Sequence, residues 1–247
     1  TNASQGLFKH NDDGLMCGQR RFIRALFSRG DVDATVTSNL GSVSLTGGND
    51  VEIAATITGN NGVELRATDV LEIKGNISAP AGGVDGTGAS VDIDNTVTAA
   101  GDIDINATTT VLDVAAVITS NQGNVALNAM TDVNLGANVL GDNVTVQSST
   151  TDVNVTSALD NTLGSLDISA ANSVDINTTI KAADDLRVQA NTNNDATGAI
   201  LLGDSLTSET DMTLTGDVTL DGDAVLTSGD GNIFVANKIT GVANTLS

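Results

Sequence analysis

From Val43 onward, apolar and polar positions follow a pattern that returns about every twenty residues. Val43, Leu45, Val51, Ile53 and Ile57 come back as Val63, Leu65, Leu71, Ile73 and Ile77. Later rounds read Ile103, Ile105, Leu112, Val114 and Ile118, then Val125, Leu127, Val133, Leu135 and Val139. After Ile180 the spacing loosens, and the insert NTNNDATGA (191–199) makes one long corner, a candidate contact patch. Apolar residues two apart predict strands with one buried face. Breaks such as TGGND, GNNG and DGD carry the residues that tolerate corner conformations. Short strands at a fixed period with corners predict an all-β fold, a single-stranded parallel β-solenoid (β-helix) of about ten coils of ~20 residues. Parallel crossovers predict a right-handed coil. Coils stacked about 4.8 Å apart would make a rod about 50 Å long.

The repetition has a thermodynamic reason. About five buried aliphatic side chains stabilise a coil by about 1.5–3 kcal/mol each. Ordering about twenty residues costs about 1–2 kcal/mol apiece, so a lone coil is unstable and needs stacked neighbours.

Composition narrows the function classes. Val, Ile, Leu, Thr, Ser, Asn, Asp and Gly dominate, with one Pro and neither Trp nor Tyr, which suits strands and turns. The formal net charge of −21 would repel phosphates over most of the surface, which opposes nucleic-acid binding. No apolar run approaches the roughly 18 residues of a membrane helix. The single Cys17 cannot form an internal disulfide. A start at Thr1 rather than Met fits a mature product after signal removal, or a trimmed chain, the former being the expectation.

The segments GDIDINA (101–107), GNVALNA (123–129), GSLDISA (164–170) and GDVTLDG (216–222) resemble the coil repeats of filamentous haemagglutinin and related large bacterial surface adhesins. The resemblance spans about residues 41 to 240. It implies a secreted or surface-displayed fibre without catalysis.

Residues 1–30 break the pattern and are expected to form an amino-terminal extension to a solenoid spanning 31–247. Lys9, Arg20, Arg21, Arg24 and Arg29 against Asp12 and Asp13 give this segment a charge of +3, leaving −24 for the rest. Leu15, Phe22 and Leu26 fall near one helical face and predict a short amphipathic helix. The extension would cap the first coil or reach a neighbouring subunit, with Phe8, Arg20, Arg21, Phe22, Arg24 and Phe27 as candidate interface residues.

Stacking turns repeated residues into columns. Glu52, Glu72, Asp92 and Asp113 form a candidate acidic ladder at about 5 Å spacing, where Ca²⁺ could be held between coils. Solvated outward side chains screened by salt are the plainer account. Asn134, Asn154 and Asp175 continue the same column. Thr56 and Thr58, Asn76 and Ser78, and Thr96 and Thr98 form a hydroxyl ladder that ends by Leu140, as expected of ordinary strand threonines. Arg29–Asp31 spells RGD at a turn before the first coil. For catalysis, His10 is the only His, and Asp92, Asp94, Asp102 and Asp104 lack the aromatic platform that sugar-processing sites use. The expectation is therefore a non-enzymatic extracellular structural protein at the cell surface, a fibre subunit assembling head to tail with itself. The alternative is a stalk or binding segment of a larger adhesin that meets a host or matrix surface.

Overall fold

The structure, a computed structural model, describes residues 16–18, 22–27, 30–194 and 198–241. Among these residues there is no helix, and every ladder between strands is parallel. The chain is a parallel β-solenoid of about ten turns, as the hydrophobic period predicts.

Each coil contributes one strand to each of three faces. The first face has eleven strands, from Phe22–Phe27 to Ile233–Val235. The second also has eleven, from Gly30–Val32 to Ile239–Gly241. The third face is divided into seven strands, from Met16–Gly18 to Val139–Leu140, and four, from Leu159–Asn161 to Leu226–Ser228. Coils are counted from the one that opens with Phe22–Phe27.

Alternation in the sequence becomes alternation of burial. In Ile103–Ala107 the residues Ile103, Ile105 and Ala107 point inward, and Asp104 is exposed. Each inward residue lies over its register partner, as with Val43 on Val63 and Val51 on Leu71, so the interior is a set of aliphatic columns. Coil four departs from this rule. Gly86 stands in the column between Leu65 and Ile105, and a Cβ there would come within 2.8 Å of the Ile105 side chain. The large neighbours fill the room that Gly86 leaves.

The first coil begins earlier than the sequence pattern implies. Phe22–Phe27 is a strand, and Ile23 and Ala25 lie in register with Val43 and Leu45. Both are buried while Arg24 and Leu26 face outward, an alternation of two that replaces the expected helix. The open edge of the next coil offers backbone partners along the whole segment, which favours the strand. Met16–Gly18 likewise pairs with Val36–Ser38. Phe8, Arg20, Arg21 and Arg29 lie outside the described residues, as do the side chains of Phe22 and Phe27. The insert turns at Asn191 and Asn194, both with positive φ, a conformation that Asn accepts more readily than most residues.

Candidate functional site

The acidic ladder exists as a column on the second face. The register runs Asp31, Glu52, Glu72, Asp92, Asp113, Asn134, Asn154 and Asp175 over successive coils. Its two halves are neutralised differently. Near the amino-terminal end the Lys74 ammonium lies 3.0 Å from Glu52 Oε1 and 2.8 Å from Glu72 Oε1, bridging two rungs. These two carboxylates hold the Lys74 pKa well above its ordinary value. Farther along, amides take over, with Asn134 Nδ2 donating to Asp113 Oδ1 at 2.5 Å and Asn154 Nδ2 donating to Asn134 Oδ1 at 2.8 Å. The column is thus largely a hydrogen-bonded side-chain ladder with an internal counter-ion.

Asp92 stands between these halves. Its carboxyl pKa is raised, first by burial and then by Asp94, Asp113 and Glu72. Carboxylate oxygens of Glu72, Asp92 and Asp94 lie within 4.8 Å of one another. Three carboxylates offer a hard cation part of the six to eight oxygens that Ca²⁺ takes. Lys74, already on Glu72, competes for the same charge.

A second acidic surface lies on the first face, a shallow groove of about 390 Å³ lined by Glu64, Asp85, Asp102 and Asp104. It separates Asp102 and Asp104 from Asp92 and Asp94, which the sequence left as one possible cluster. Arg66 neutralises part of the groove, with Nε 2.6 Å from Glu64 Oε1 and Nη2 3.5 Å from Asp85 Oδ2. The Glu64 pKa is lowered, mainly by its hydrogen bond to Arg66. The Asp85 pKa is raised, mainly by burial. Arg24, expected at a subunit interface, faces outward in the same column as Ser44 and Glu64 and adds its charge to this groove. The groove offers anionic oxygens and no aromatic surface.

The two ends of the rod differ. Inward residues of the first coil, Ile23, Ala25, Val32 and Val36, are 3–8% exposed. In the last coil Ile233 and Ile239 are 42% and 38% exposed, although their register partners Met212 and Val218 are fully buried. Phe234, on the outer side of the same strand, is 59% exposed. This end face was not readable as a site from composition, because its residues are the ordinary core residues of the repeat.

Compared with family models, characterised proteins and solved structures, the chain shows no significant match to any of them. The likeness to haemagglutinin-type coils therefore rests on the quoted motifs and on the solenoid that they build. Among the described residues, no helix is long and apolar enough to cross a membrane.

Proposed function

We propose that this chain is a non-enzymatic structural rod, displayed outside the cell, whose copies associate end to end into a fibre. The observation that carries this reading is the last coil. It presents Ile233, Val235 and Ile239 in register with the buried row beneath, together with the edges of Ile233–Val235 and Ile239–Gly241, which are unpaired among the described residues. Open parallel edges over an apolar row pair readily with another strand layer. A second copy docking its first coil there would continue all the ladders in the same direction, a head-to-tail contact that propagates without closing. Charge supports this polarity. Residues 201–241 carry Asp204, Glu209, Asp211, Asp217, Asp221, Asp223 and Asp230 against Lys238, while residues 1–30 are net positive by three.

The alternative is a stalk segment of a larger adhesin, favoured by the unbroken register of the last coil, which a further coil of the same chain would also cover. Electron microscopy of the purified chain separates the two. Filaments with an axial repeat of about 50 Å, lost in an Ile233→Lys, Ile239→Lys double variant that keeps its circular dichroism, are the expected result. Single short rods at all concentrations would sink the fibre reading and leave the stalk.

A further inference from the structure

The split of the third face is a feature of the rod itself and does not depend on what the rod assembles into. No ladder joins Val139–Leu140 of coil six to Leu159–Asn161 of coil seven. At the same level the other two faces are continuous. Val125–Ala129 pairs with Asn143–Ser148 and this with Ser165–Ala170, while Val133–Leu135 pairs with Val153–Val155.

Two side-chain amides stand where the backbone ladder would be. Asn138 Oδ1 accepts from the Val139 amide at 3.0 Å and from the Asp160 amide at 2.8 Å. Its Nδ2 donates to the Asp160 carbonyl at 3.3 Å. In coil five the Ile118 amide donates to a backbone carbonyl, that of Asn138 itself; one coil on, Val139 has only a side chain as acceptor. Asn161 is fully buried at an inward position that neighbouring coils give to Ala79, Ala99, Ser120, Ala182 and Ser208. Its Oδ1 accepts from the Gly141 and Leu163 amides at 3.2 and 3.4 Å. Its Nδ2 donates to the Gly164 and Ser165 carbonyls at 3.2 and 3.0 Å.

The cause lies in corner length. Counted from the third-face position shared by Ser120, Gly141 and Asn161 to the first-face position shared by Val125, Val144 and Leu166, the corner of coil six has two residues, Asp142 and Asn143. The corners on either side have four, Asn121–Asn124 and Thr162–Ser165. The short corner draws the chain off the third face early, so Val139–Leu140 is a strand of two residues where Ile118–Ser120 and Leu159–Asn161 have three. Asn161 fills the space left behind.

We propose that this seam is a hinge. The third face opens between coils six and seven while the two continuous faces act as the leaf about which the rod bends, dividing it into two separately fluctuating blocks. Opening swings two amides aside and breaks no cooperative ladder, so it needs less disruption than opening at any other described level of the third face.

Residue-resolved hydrogen exchange on the full chain tests this. The Val139, Gly141, Asp160 and Leu163 amides are expected to exchange about tenfold faster than those of Val97, Ile118 and Ile180, after correction for intrinsic rates. Asn138→Ala, which leaves the core untouched, should speed exchange at Val139 and Asp160 further and leave Val146 and Val155 unchanged. Equal protection at the seam and at the reference positions would overturn the proposal. So would an Asn138→Ala variant that accelerates all three faces alike, since that describes general loosening and not a hinge.

Discussion

The first and third faces bury side chains of the same kind, yet only the first is continuous. Val139 and Leu159, on either side of the break, are each 1% exposed, as buried as Val125 and Leu166 on the unbroken face. Hydrophobicity therefore decides which side chains point inward, and corner length decides whether neighbouring strands meet. A one-residue change is absorbed. The corner of coil four has three residues, Ala100–Asp102, and that of coil five has four, yet Val97–Ala99 and Ile118–Ser120 stay paired. There the Ser120 hydroxyl donates to the Gly101 carbonyl at 2.8 Å and takes up the slack. The shortening from four residues to two between coils five and six still leaves Ile118 and Thr119 paired with Val139 and Leu140, whereas the return from two to four after coil six leaves no ladder, and an asparagine amide spans the gap.

The contrast can be tested at several levels. The largest effect is expected on the continuous face, where Ile105 is fully buried in the column above Gly86. Ile105→Asp places a carboxylate in that column and should cost more than about 4 kcal/mol, seen as loss of the cooperative transition in urea. Next comes Asn161→Ala, which strands the buried Gly141 amide and Gly164 carbonyl and removes the part-buried bonds to Leu163 and Ser165. A loss of about 2–4 kcal/mol is expected, and a loss below about 1 kcal/mol would mean that the seam is held by something other than this amide. Ser120→Ala should cost only about 1 kcal/mol by the same denaturation measurement, because the ladder there survives without it.

Acidity should act mainly through the two continuous faces. Asp85, Asp92 and Asp167 all have raised folded-state pKa values, with burial the leading cause for each. A raised carboxyl contributes stability that is fully present below the unfolded value, about 3.9, and is lost as pH rises through the folded value. Glu64, with its lowered pKa, works in the opposite sense and loses its contribution as pH falls through its folded value. Three groups against one predict a melting temperature higher near pH 4 than at pH 7. Asp92→Asn should raise stability at pH 7 and flatten this rise. The smallest effect is expected at Lys74. Replacing it by Gln removes the counter-ion of Glu52 and Glu72, so calorimetric titration with Ca²⁺ should show tighter binding than in the parent chain. Unchanged binding would show that Lys74 does not govern the ladder's charge.

The solenoid and most of the ladder were legible because they depend on period alone. Glu52, Glu72, Asp92, Asp113, Asn134, Asn154 and Asp175 are register partners as their spacing implies. The first coil was legible too, but only by stepping backward: twenty before Val43 and Leu45 lie Ile23 and Ala25. The basic residues and the helical spacing of Leu15, Phe22 and Leu26 masked that shorter alternation. Lys74 was hidden for another reason. It follows Glu72 by two residues, and its long stem reaches back across the sheet to Glu52, a direction that no periodicity encodes. Asp94 was visible as an acid but not as the third member of a cluster with Glu72, since it sits just past the end of Ser90–Ile93. The seam was written in the count of corner residues, which a reading based on apolar positions passes over.

Apart from the opening strands and Leu159–Asn161 at the seam, every described strand pairs with the one a coil before it, so no segment waits for a distant part of the chain. Val63 needs Val43, 20 residues before it, and Val84 needs Val63, 21 before it; along the described rod register partners stay 18 to 26 residues apart. A chain delivered amino terminus first can therefore wind up behind its own leading edge, each finished turn serving as the template for the next. Length then becomes a free variable: whole turns can be gained or lost between generations while every residue away from the junction keeps its neighbours.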